Sequence, residues 1–374
     1  MTFEPPQDPQ QSPRAPQPQA PPPVDASQYA APSQPQWAWA APAPQPQWEE
    51  TGPLEFHQAL RGVARYRWWR PLLGLVLGVV YYFTLSLAFT IPFMPYLFSS
   101  GAVSLTSTDI DSSAIIDTQE PILLLLGLGS VALMIPSVIL AMLSIGLRPT
   151  GRVWSVALRI RWRWIWRTLL PAIVTLIVMN AVGIALEFAF GSDTAEAISG
   201  DTPEIDTRAA LWSLLIVLLL VPLQATGEEV VFRGAFMQAI GGWLGAVRGS
   251  SAFAVFLRGP WLPILIPSVA FGFSHIYDIW GWLAVVAMAV AMGWLTWRTG
   301  GLEAAITLHV MNNLVAFAYL ASGISGETAQ TESSGGLGSL IGTASGLVLY
   351  SWWVNRDFTR RDGRRTRTDL VEVR

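Results

Sequence analysis

The sequence predicts an all-α polytopic membrane protein, an eight-helix transmembrane bundle with a polar intramembrane cavity. Three observations carry that expectation. Of 374 residues, 52% are hydrophobic and 13% charged, against roughly 25% charged in an ordinary soluble domain. Apolar runs of bilayer length recur along the chain, and arginines collect in alternate loops between them.

Residues 1–60 read as a disordered Pro/Gln/Ala-rich tail, because 15 of the 27 prolines fall within the first 53 residues. Such a composition buries too little apolar surface to offset the entropy of ordering it. No apolar core follows a basic start near Met1, so the segment does not read as a signal peptide. His57 is grouped with this polar lead-in as a surface histidine. Residues 61–354 form the membrane domain. Its first apolar run follows RYRWWR at 65–70 and reaches Phe98; the next cover 121–147, 165–190 and 208–226, then 261–277, 279–298, 301–322 and 336–354. A helix needs about 20 residues to cross a hydrocarbon core of roughly 30 Å, so the fifth run is short. Unpaired backbone groups in lipid would cost several kcal/mol each, which makes every run helical. Residues 355–374 read as a basic tail.

The stretches 61–70, 148–167, 233–258 and 355–374 hold four, six, three and seven Arg, while loops 99–120, 191–207 and 323–335 hold none and carry four, five and two acids. Eight spans put all the Arg-rich stretches on one side, with both termini cytoplasmic. The expected location is a bacterial plasma membrane, crossed several times. RIRWRWIWR at 159–167 sets Arg159, Arg163 and Arg167 at i,i+4 spacing beside Trp162 and Trp166, a combination suited to the headgroup layer. No wider basic domain accompanies it, so nucleic acid is not an expected partner.

The chain has no Cys and no Lys, which excludes thiolate and lysine chemistry. Its histidines are His57, His275 and His309. Against the apolar background three polar groups stand out. Glu228 and Glu229 follow the fourth run, and Glu229 can pair with Arg233 at i,i+4 while Glu228 lies on another face. Phe271 and His275 fall in the short fifth run. His309 and Asn313 share one face of the seventh. Ionisable groups inside a bilayer are costly unless they face protein, water or a partner. A structural clamp would account for Glu229 and Arg233 but not for Glu228. Glu, two His and Asn can activate water and stabilise an oxyanion, which suits hydrolysis of an amide. Glu with two His could also bind zinc, but HExxH is absent. No cofactor is predicted, and zinc is left open. Ser274 is rotated by about 100° from His275 in a helix and makes a poor nucleophile.

The motifs EExxxR (Glu228, Glu229, Arg233), FxxxH (Phe271, His275) and HxxxN (His309, Asn313) together resemble the signature of the CPBP family, intramembrane proteases related to the type II CAAX prenyl endopeptidase and to bacteriocin-processing proteins. The resemblance covers about residues 208–322. It implies a conical cavity open to the cytoplasm, Glu228 and His275 activating water, and His309 with Asn313 forming the oxyanion site. The expected function is a glutamate-dependent endopeptidase acting on a membrane-associated peptide or protein. The alternatives are a catalytically silent immunity or binding protein and a proton-coupled transporter. Oligomeric state is not legible.

Overall fold

The structure, a computed structural model, describes residues 46–100, 116–191, 203–324, 327–331, 335–361 and 363–373. The expected disorder of residues 1–45 lies outside them. Described structure begins earlier than residue 61: β1 (Gln47–Glu50) pairs antiparallel with β4 (Leu370–Val373), and β2 (Leu54–Glu55) with β3 (Thr366–Arg367). A 3₁₀ segment, Phe56–Gly62, follows β2. Phe56, Ala59, Leu60 and Val63 repeat at helical spacing and are buried, a signal that the Pro-rich average of the tail hides. His57 is a correction to the sequence reading: it is fully buried, with Nε2 3.2 Å from the Arg258 carbonyl. Burial pushes its imidazole below the ordinary value.

The C-terminal segment is likewise ordered rather than a free basic tail. Asp369 accepts two bonds from the buried Arg152, at 2.7 and 3.0 Å, and one from Arg367 at 2.6 Å. Arg152 also donates to the carbonyls of Ala59 and Gly62. Burial alone would push the Asp369 carboxyl up, but the bonds and charges of Arg152 and Arg367 outweigh it and hold it below the usual range.

Membrane-length helices follow the predicted runs. They are α1 (Trp69–Thr90), prolonged through α2 (Met94–Ser99); α3 (Pro121–Ala132) continued by α4 (Met134–Ser144); and α5 (Trp162–Phe190). Next, α6 (Thr207–Glu229) runs through a π-helical segment, Val230–Phe236, into α7 (Met237–Leu244). The last are α10 (Ile279–Thr299), α11 (Glu303–Ser322) and α12 (Leu337–Arg360). The fifth run differs from expectation: its helix, α9 (Trp261–Phe273), stops four residues early and is bent by 51° from α8 (Ala252–Arg258). The stop is chemical. Ser274 Oγ and His275 Nδ1 both turn back to the Phe271 carbonyl, and Asp278 caps α10 by accepting from the Gly281 amide.

The β1–β4 pairing brings the two ends of the membrane domain to one side, so the number of crossings is even. Among the described residues seven helices are long and apolar enough to cross a membrane, and the bent α8–α9 pair, taken as one span, is the eighth that an even count calls for. The chain is a multi-pass membrane protein, and large side chains such as Phe83, Leu87, Leu170, Ile177 and Leu218 point outward from its helices. Between α5 and α12, Gly338, Gly342 and Gly346 form a small-residue stripe. A Cβ on Gly342 would strike Met179 O and the Gly183 backbone, so the two helices meet backbone to backbone, as small residues allow in a membrane.

Candidate active site

The polar residues converge where α6, its π-helical continuation, the end of α9 and α11 meet. Glu228 and Glu229 stand near the middle of the continuous helix Thr207–Leu244. Gly227 precedes them because a Cβ there would press on the Val131 carbonyl at 3.0 Å, where α6 crosses the α3–α4 junction. Glu229 is fully buried, and its Oε1 accepts from Arg233 at 2.8 Å and from His309 Nδ1 at 2.7 Å. The i,i+4 pair expected from sequence is therefore made, with a histidine added. The Arg233 guanidinium also lies 4.4 Å from the Phe271 ring centroid, a geometry that lets a buried cation interact with an aromatic face.

Glu228 is engaged differently. Its Oε2 accepts from Gln224 Nε2 at 2.6 Å and stands 3.4 Å from His309 Nε2. Each nitrogen of His309 thus faces a carboxylate. With Nδ1–H donated to Glu229, Nε2 is the nitrogen that faces Glu228. Gln224 in turn accepts from Asn313 Nδ2 at 3.1 Å, tying α6 to α11.

His275 stands on the other side of Phe271. Its ring is 4.6 Å from the Phe271 ring, which is 5.7 Å from that of His309. His275 Nδ1 lies 2.8 Å from the Phe271 carbonyl. A carbonyl can only accept, so Nδ1 carries the proton, and in the neutral ring Nε2 presents a lone pair. Among the described residues no hydrogen bond joins His275 to Glu228. Ser274 Oγ donates to the Phe271 carbonyl at 2.7 Å. No three His, Asp or Glu side chains among the described residues have the arrangement of a metal site.

Helix α6, the turn after α9 and helix α11 thus deliver, in the order of the sequence motifs, a carboxylate pair, an imidazole whose Nε2 presents a lone pair and an imidazole–amide pair. Residues 209–315 match the family described as type II CAAX prenyl endopeptidase Rce1-like. Over this segment the chain is similar to that family. The CPBP resemblance carried by the three motifs is therefore matched over this segment, which contains every residue of the cluster. The chain is also 25% identical, over 223 residues, to the uncharacterized protein YyaK of Bacillus subtilis (strain 168); the match covers 58% of this chain and 65% of that protein. No solved structure matches the chain.

All six residues singled out in the sequence lie in the matched segment, 209–315. Glu228, Glu229, Arg233 and His309 meet directly, Asn313 joins through Gln224, and His275 through Phe271. Gln224 was missed by the sequence reading. Its signal was present, as an amide inside an apolar helix four residues before Glu228 and so on the same face. An apolar cavity of about 300 Å³ lies alongside, lined by Tyr82 of α1, Met134 and Val138 of α4, and Val231 and Ala235 of the π-helical segment.

Proposed function

We propose that the chain is an intramembrane endopeptidase in which Glu228 and His275 activate water and Glu229 with Arg233 holds the site together. The observation that carries this reading is the unequal engagement of the two carboxylates. Glu229 is bound to a guanidinium and an imidazole, so its charge is spent on structure. Glu228 has an amide donor and an imidazole nitrogen 3.4 Å away, close enough for a proton to pass between them in the proposed reaction. A general base needs such a proton-exchanging environment.

In the proposed sequence Glu228 takes a proton from a water placed between it and the His275 Nε2 lone pair, which accepts that water's other hydrogen, as the water oxygen attacks the scissile carbonyl. The second N–H of Asn313 and the Nε2–H of His309, released from Glu228, stabilise the oxyanion. Collapse of the tetrahedral species breaks the C–N bond, and the proton held by the Glu228–His309 couple passes to the leaving amine. A donor of the Asn313 kind is worth about 2.7–4 kcal/mol in other hydrolases. No metal enters this sequence. The apolar cavity beside Val231 suits an apolar portion of a membrane-associated substrate. The Arg-rich side is assigned to the cytoplasm of a bacterial plasma membrane by the charge rule.

The test is an unbiased comparison of peptides from membranes containing the intact protein or Glu228→Gln, run in ¹⁸O-enriched water. Peptides present only with the intact protein, each with ¹⁸O in its new carboxylate, support the reading. Identical peptide sets together with proton-coupled solute flux would replace it with the transporter.

A further inference from the structure

Between the loop 148–161 and the first turns of α5 (Trp162–Phe190) lies an open cavity of about 950 Å³ that the proposed chemistry does not use. Its charged lining is Arg159, Arg161, Arg163 and Arg167, and Trp154 and Trp164 form its walls. Arg161 is committed elsewhere. It makes a two-pronged bond to Glu303, at 2.9 and 2.6 Å, and donates to the Thr299 carbonyl. No carboxylate among the described residues pairs with Arg159, Arg163 or Arg167. Three guanidinium groups thus border one cavity without an anion. Arg167 is already oriented, 5.4 Å from the Trp164 ring centroid.

The loop that shapes this cavity is built rather than loose. Leu158 holds φ at 61°, a conformation costly for a residue with a Cβ. The strain is enforced by Ser155 Oγ, which donates to the Arg159 carbonyl at 2.6 Å, and by the Val156 amide, which donates to Gly300. A Cβ on Gly151 would strike the Leu158 carbonyl, so the loop closes on itself only because residue 151 is glycine. The outcome of that bend is Arg159 aimed at the same cavity as Arg163 and Arg167.

We infer that this cavity binds the phosphate headgroup of an anionic phospholipid. Trp162 and Trp166 are 62% and 69% exposed at the end of an apolar helix, which fixes the cavity at headgroup depth. Below it Trp166, Leu170, Ile173 and Ile177 form an exposed apolar stripe along α5, a track for acyl chains that free phosphate would not use. Basic pockets between helices at this depth suit such headgroups. The Arg161–Glu303 tether links the cavity wall to the first turn of α11, the helix that carries His309 and Asn313.

The experiment titrates the delipidated full-length protein in detergent with phosphatidylglycerol or phosphatidylcholine and reads bound lipid by native mass spectrometry. Wild type should prefer phosphatidylglycerol. R159Q/R163Q/R167Q should weaken that binding on the order of a hundredfold, and R163Q alone, an exposed change compatible with folding, about fivefold. R356Q/R360Q, which removes a basic pair from α12, should leave it unchanged. Equal losses in the two multiple variants, or equal binding of both lipids by wild type, would overturn the inference. Displacement of the lipid by millimolar inorganic phosphate would overturn it in favour of a free-anion site.

Discussion

Gln224 Nε2 donates to Glu228 Oε2 at 2.6 Å, one turn along the same helix. The other end of that amide accepts from Asn313, so one side chain sets the positions of both the proposed base and a proposed oxyanion donor. Gln224→Leu keeps the volume and removes both contacts. An unsatisfied buried polar group costs about 1–3 kcal/mol, and the loss falls on transition-state geometry. Cleavage efficiency should drop by roughly 10–100-fold with substrate binding little altered. A fall in affinity at constant turnover would show that Gln224 serves substrate binding instead.

The partners of Glu229 lead to a different prediction. Glu229 and Arg233 are both buried and bonded at 2.8 Å. Removing one partner leaves an uncompensated charge at a cost of about 3–5 kcal/mol, whereas removing both can be much milder. Glu229→Gln and Arg233→Gln should each lower membrane yield and thermal stability. The double variant should be less damaged than the sum of the singles. Strict additivity in a thermal melt would mean that the pair is not coupled.

Helix order and type were legible in the sequence because lipid enforces long apolar runs and regular helices. The cluster was legible because Glu228, Glu229, His275, His309 and Asn313 are expensive in such surroundings, and six of the seven polar side chains now seen there were named from sequence alone. What escaped was local or dependent on tertiary pairing. Phe56, Ala59 and Leu60 form only a short apolar stripe behind a Pro-rich stretch, and their burial against α7 depends on the contact of His57 with Gly241. Asp369 reads as one acid in a basic tail until Arg152, 217 positions away, is brought to it. The early end of α9 rests on two side chains, Ser274 and His275, that turn back to one carbonyl.

The paired chain ends should make stability depend on pH. Asp369 has a folded value below its ordinary one, so its contribution is complete above about pH 3.9 and lost as pH falls through the lower folded value. His57, also lowered, contributes fully above about pH 6.5 and loses its contribution as pH falls below that. Thermal midpoints in detergent should therefore begin to fall below pH 6.5 and fall again below pH 4. His57→Gln should flatten the first step and Asp369→Asn the second. A profile unchanged in both variants would contradict the assignment.

Topology supplies a further check. The β1–β4 pairing requires an even number of crossings, and the charge rule orients them. Reporter fusions after residues 60, 158, 250 and 370 should read cytoplasmic, and those after 110, 200 and 328 external. A cytoplasmic signal at 200, or an external one at 370, would require a different set of spans.

The central claim is that Glu228, rather than its neighbour, takes the proton from water. The most direct measurement is single-turnover cleavage of a peptide identified from the membrane comparison, using purified Glu228→Gln, matched to wild type in helicity and melting temperature and exhaustively chelated in parallel with it. The account predicts a folded protein with turnover reduced by at least about 100-fold, the lower range of general-base contributions, while chelated wild type keeps its rate. Near-normal turnover by Glu228→Gln would contradict it.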